Sequence, residues 1–135
     1  MRAQLNTRVM VVDDSEVACE AIRHALTSAG AEVVVLTSPF GFIRAVRESN
    51  PQVILLDVGL GSLSGTKLVE LGRQHAPSGC AILLYSGRDV DVLNDDALSC
   101  GADGYISKGT TGPALIEAVR QWASGIRRRL PKSET

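Results

Sequence analysis

The chain has 135 residues, 44% hydrophobic but only 4% aromatic, with 14 basic and 15 acidic side chains and a net charge of -1. That length suits one ordinary domain with a real core, and the near-neutral balance gives no general reason to expect nucleic-acid binding. No apolar run approaches the roughly 18 residues of a membrane span, residues 1–6 lack a signal-peptide h-region, and Cys19, Cys80 and Cys100, odd in number and without CxxC spacing, argue for reduced cytoplasmic thiols over a disulfide framework or zinc site.

A first strand is expected near residues 8–12, where Val9-Met10-Val11-Val12 runs into Asp13-Asp14. Residues 15–28 follow as a helix with Val17, Ile22, Ala25 and Leu26 at helical spacing, stopped by Gly30. Residues 32–36 form a second strand. Ser38-Pro39 has the form of an N-cap with proline at the first helical position, opening a helix to about Glu48 that Asn50-Pro51 breaks. A third strand at 53–56 runs into Asp57, and a Gly- and Ser-rich loop from Gly59 to Gly65 leads to a helix around 66–75. Pro77-Ser78-Gly79 turns into a fourth strand at 80–85, which runs into Ser86. The less periodic segment 90–100 ends at Gly101, a short strand at 104–107 runs into Lys108, and a last helix from Pro113 to about Ser124 buries Leu115, Val119 and Trp122. The organisation expected is one domain over 1–124 and a short charged tail over 125–135.

Short continuous aliphatic runs bounded by turn residues read as strands buried on both faces, the habit of parallel sheets. Five βα units with right-handed crossovers predict a doubly wound α/β fold. Parallel strands share one C-terminal edge, where open α/β sheets hold their sites. Three carboxylates (Asp13, Asp14, Asp57), a hydroxyl (Ser86) and an ammonium (Lys108) are then expected in one cleft, a set suited to a divalent cation and a phosphoryl group.

Taken together and in order, Asp13-Asp14, Asp57, Gly65, Ser86-Gly87 and Gly101-Ala102-Asp103-Gly104-Tyr105-Ile106-Ser107-Lys108 resemble the response-regulator receiver (CheY-like) domains of two-component signalling. The resemblance covers nearly the whole chain. It implies a flavodoxin-like five-stranded parallel sheet of order 2-1-3-4-5 with five helices, and phosphorylation of Asp57 by a sensor histidine kinase or histidine phosphotransfer protein. It further implies Mg²⁺ (or Mn²⁺) bound directly by Asp14 and Asp57, through water by Asp13, and by the backbone carbonyl of Gly59. Lys108 is then the phosphoryl-binding ammonium, Ser86 the mobile hydroxyl and Tyr105 the switch aromatic, while Gly59 and Arg88 are the positions that tune autodephosphorylation.

The chemistry supports these roles independently. Phosphoryl transfer is mainly positioning and charge stabilisation, Mg²⁺ is usually held by one or two carboxylates plus water and phosphate, and crowded carboxylates raise one another's pKa. Two departures stand out: Lys108 precedes Gly109 where the family usually has proline across a cis bond, and Gly61 replaces a common proline. Either the site absorbs a cis peptide after Lys108 or the loop turns differently.

His24 and His75 fall in helices away from the cleft. Asp89, Asp91, Asp95 and Asp96 make the fourth helix acidic and Arg120 with Arg127–Arg129 make the end of the fifth basic, either as solvated faces or as a docking surface on helix 4, strand 5 and helix 5. A dehalogenase-like phosphohydrolase would need an Asp-x-Asp after its first strand and a cap. A flavin carrier's phosphate would be repelled by Asp13-Asp14. The remaining rival is a phosphorylation-independent pseudo-receiver. With no output domain in the sequence, signalling is expected to pass through protein contacts of a monomer or phosphorylation-dependent dimer, with no direct nucleic-acid or membrane binding and no enzymatic turnover beyond self-phosphotransfer and autodephosphorylation.

Overall fold

The computed structural model describes residues 4–57, 65–110 and 112–125. Strands β1 (Arg8–Val12), β2 (Glu32–Leu36), β3 (Val53–Asp57), β4 (Ala81–Ser86) and β5 (Gly104–Ser107) alternate with helices α1 (Glu16–Ser28), α2 (Phe42–Ser49), α3 (Gly65–His75), α4 (Val90–Cys100) and α5 (Gly112–Ala123). The strands form one parallel sheet in the order β2-β1-β3-β4-β5, as the aliphatic runs and their spacing predict. Among the described residues no helix is long and apolar enough to cross a membrane.

Alternate residues of a strand point to opposite faces, and here the alternation divides the core in two. Val9, Val11, Val53, Leu55, Leu83, Tyr85 and Ile106 pack with Cys19, Ile22 and Leu26 of α1 and with Leu115 and Val119 of α5. Met10, Val12, Ile54, Leu56, Ile82 and Leu84 pack with Phe42 and Val46 of α2, Leu68 and Val69 of α3, and Leu93 and Ala97 of α4. The central strands β1, β3 and β4 are thus buried on both faces.

Three local expectations need correction. Val17 does not join the inner stripe of α1 but is 81% exposed, because the stripe runs Cys19, Ile22, Leu26 and Val17 lies about 200° round the helix from Cys19. The second helix starts at Phe42, not at Pro39. Ser38 Oγ instead accepts from the Phe40 N–H and Pro39 O from the Phe42 N–H, and left-handed Gly41 forms the N-cap, so that Phe42 and Val46, one turn apart, both enter the core. β5, expected to be buried on both faces, buries Gly104 and Ile106 while Tyr105 and Ser107 stay half-buried, since it is an edge strand.

Besides the parallel ladder between β4 and β5, a carboxylate ties the start of β5 to β4 and α3. Asp103, just before β5, accepts from the Ile82 N–H at 2.8 Å and from Arg73 Nη1 at 2.9 Å. Left-handed Gly101 (φ 78°) closes α4 immediately upstream, a conformation that glycine adopts without steric cost.

Candidate functional site

The site grows from strand parity. Val11, Leu55 and Ile106 face the α1/α5 layer, so the residues two further on, Asp13, Asp57 and Lys108, leave the sheet edge on that same side. One ligand atom from each of Asp13, Asp14 and Asp57 lies within 4.8 Å of the others. Lys108 Nζ sits 2.9 Å from Asp13 Oδ2 and 3.3 Å from Asp57 Oδ1.

Asp13 is the most constrained member. It is fully buried, its N–H donates to Leu36 O at 3.0 Å, and its Oδ1 accepts from the Ser15 N–H at 2.9 Å. Its carbonyl accepts from Cys19 Sγ at 3.2 Å. Oδ2 faces the Lys108 ammonium at 2.9 Å. Asp14 is exposed and makes no hydrogen bond or ion pair with a described residue; the N-cap of α1 is Ser15, whose Oγ accepts from the Ala18 N–H. Asp57 is the last residue of β3 and its side chain is 13% exposed.

Charge shapes the pocket. Burial, followed by the Asp13 charge, pushes the Asp57 carboxyl above its ordinary range, with Asp14 adding to the shift and Lys108 opposing it. Burial would lower the Lys108 ammonium, but the Asp13 and Asp57 carboxylates outweigh it and the net direction is upward. One ammonium thus faces three carboxylates. Hard oxygen donors gathered this closely, one of them a buried oxygen held by the Lys108 ammonium at 2.9 Å, fit the coordination needs of a small divalent cation.

The remaining expected residues fall as follows. Ser86, at the end of β4, is buried, and its Oγ accepts from the Arg88 N–H at 3.2 Å. Tyr105 is half-buried against the α2–α4 layer, paired in register with Leu84. Arg88 reaches Asp96 at 3.2 Å. His75 contacts Arg47 at 3.1 Å and His24 is exposed on α1, both away from the carboxylates. Gly59, Gly61 and Arg127–Arg129 lie outside the described residues. No cis peptide occurs among the described residues. The loop after Lys108 turns differently: the Lys108 N–H donates to Ser86 O at 2.8 Å, the Gly109 N–H to Ser107 Oγ at 3.2 Å, and the Thr110 N–H to Ser107 O at 2.9 Å.

Two participants escape a reading of the residues alone. The Tyr85 ring lies 5.6 Å from Lys108 Nζ, and the Cys19 thiol supports the Asp13 backbone. Tyr85 reads as one more strand residue until the β3–β4 register pairs it with Asp57. Cys19 reads as a buried thiol, which it is; burial pushes it up in pKa, with the Asp13 charge adding.

A family model described as the response regulator receiver domain matches residues 9–120. The chain is 33% identical over 128 residues to the transcriptional regulatory protein KdpE of Mycobacterium tuberculosis, covering 95% of this chain and 54% of that protein. It therefore spans about half the length of that relative. Among solved structures it is similar to the signal receiver domain of NarL from Mycobacterium tuberculosis, at 27% identity and a TM-score of 0.75, covering 89% of this chain and 98% of the other. A CheY-like response regulator receiver domain protein from Methanospirillum hungatei JF-1 has the same fold, with a TM-score of 0.75 at 21% identity over 88% of this chain and 94% of the other.

Proposed function

Since the chain belongs to the response regulator receiver domain family of two-component signalling, we propose that Asp57 is its phosphoryl acceptor and that Lys108, Ser86 and Tyr105 convert the added group into a signal. The observation that carries this reading is the single ammonium within 3.3 Å of both Asp13 and Asp57 at the rim of a three-carboxylate pocket.

The donor is a phosphohistidine of a sensor histidine kinase or phosphotransfer protein. An Asp57 oxygen attacks phosphorus in line, the P–O bond forms as the P–N bond breaks, and the imidazole leaves with the electron pair and takes a proton. Lys108 donates to the phosphoryl oxygens. The Ser86 hydroxyl turns from the Arg88 N–H towards the same group, and the half-buried Tyr105 ring moves inward after it. Mg²⁺ (or Mn²⁺), held by Asp13, Asp14 and Asp57 with the Gly59 carbonyl that the family resemblance adds, supplies charge neutralisation at the phosphoryl oxygens when bound. The chain's own carboxylate is the substrate, so the domain performs self-phosphotransfer and autodephosphorylation and turns over no separate substrate.

A downstream protein reads the state at the face of α4, β5 and α5. On α4, Val90, Val92 and Leu98 are 51%, 43% and 38% exposed, among the exposed acids Asp91 and Asp95. The setting is cytoplasmic, and the unit, spanning 1–124, works as a monomer or a phosphorylation-dependent dimer without binding nucleic acid or membrane itself. Acetyl phosphate and Mg²⁺ followed by intact-mass analysis test the reading: the native chain gains one phosphoryl group and Asp57→Ala gains none. A native chain that gains nothing would point instead to a binding module independent of phosphorylation.

A further inference from the structure

Lys108 has to stay in place while its carboxylate partners change theirs. Asp13 and Asp57 are shared with a cation in the proposed reaction, and Asp57 with the incoming phosphoryl group as well. Gly109 follows Lys108 immediately and gives the loop none of the φ restraint that proline would. The loop backbone is held by hydrogen bonds to Ser86 and Ser107, but the Lys108 side chain is 29% exposed and both its ion-pair partners are groups the proposed reaction occupies.

The Tyr85 ring meets that need. Tyr85 is 5% exposed in the α1/α5 core, and the sheet register sets it directly beside Asp57. Its ring centroid is 5.6 Å from Lys108 Nζ, within the roughly 6 Å over which an ammonium is attracted to an aromatic face. Unlike the Asp13 and Asp57 carboxylates, the ring carries no charge that the reaction alters.

We propose that Tyr85 is a positioning residue, which holds the Lys108 ammonium over the phosphorylation pocket through the face of its ring and supplies the restraint that Gly109 does not. This rests on the reading of Asp57 as phosphoryl acceptor. A hydrophobic strand residue of similar size would fill the core equally well; only an aromatic face attracts the cation.

Two variants separate these roles. Tyr85→Phe keeps the ring and Tyr85→Leu keeps apolar burial without it. The upfield ring-current shift of the Lys108 ε-methylene protons should persist in Tyr85→Phe and vanish in Tyr85→Leu, a readout taken on the unphosphorylated chain. With acetyl phosphate and Mg²⁺, the initial rate should stay within about twofold for Tyr85→Phe and fall about fivefold for Tyr85→Leu, the factor that about 1 kcal/mol of cation–π attraction represents. Should Tyr85→Leu fail to fold, Tyr85→Met, whose flexible chain fills irregular gaps, takes its place with the same expected results. A leucine or methionine variant phosphorylated at the native rate, or a phenylalanine variant impaired as much as they are, overturns the proposal. Failure of the native chain to take phosphate refutes the acceptor reading instead, and leaves the ring-current comparison standing on its own.

Discussion

Asp57 carries a cost that its sequence position only hints at. Burial and the neighbouring Asp13 charge make its carboxyl hold a proton more tightly in the folded chain than in the unfolded one. The stability it contributes is therefore complete below the unfolded value of about 3.9 and is lost as pH rises through the raised folded value. At neutral pH the ionised carboxylate works against the fold. Asp57→Asn should raise Tm at pH 7 in a metal-free buffer, while Asp13 remains as a partner for Lys108. The gain should shrink towards pH 4. Matched thermal melts of the two proteins at both pH values check this, and an equal Tm at pH 7, or a gain that grows on acidification, contradicts it. Residue types and strand-end positions picked out Asp13, Asp14, Asp57 and Lys108, which the fold gathers; Ser86, expected in the same cleft, ends β4 with its Oγ on the Arg88 N–H. The distances could not be read that way, because they depend on register: Tyr85 becomes Asp57's neighbour only once β3 and β4 are aligned.

At the scale of elements, β5 shows what alternation and turn residues can and cannot reveal. Its bounds follow from Gly101, Gly104 and Lys108, yet its half-exposed edge character depends on sheet order. Gly104 is small for a tertiary reason: a Cβ there would lie 2.6 Å from Trp122 Cζ2 and 2.8 Å from Cη2 of the ring that α5 lays across it. Gly104→Ala should destabilise the domain by about 1–3 kcal/mol, the usual range for overpacking a filled site. Urea unfolding followed by the emission of the chain's one tryptophan measures both the loss and any displacement of the ring. A variant as stable as the parent, with unchanged emission, would show that the contact yields without cost. α2 and Val17 mark the other limit. Ser38-Pro39 has the composition of a helix start but forms a turn, because local propensity is a weak prior that packing overrides; here Phe42 and Val46 choose where the helix begins.

For the molecule as a whole, the parallel sheet sorts its reactive ends onto two sides. Asp13, Asp57 and Lys108 leave the edge towards the α1/α5 layer, whereas Ser86 follows Leu84 in pointing parity towards the layer of α2, α3 and α4, where Tyr105 also packs. Under the proposed function, chemistry occurs on one side and Ser86 carries its consequence to the other. The proposed function requires the phosphoryl group to form on Asp57 and not on its two neighbouring carboxylates. Treating the chain with acetyl phosphate and Mg²⁺, reducing the acyl phosphate with borohydride and mapping the resulting homoserine by peptide mass spectrometry tests this most directly. Homoserine is expected at position 57; homoserine at position 13 or 14, or none in a chain that retains its fold, would contradict the assignment of Asp57 as phosphoryl acceptor.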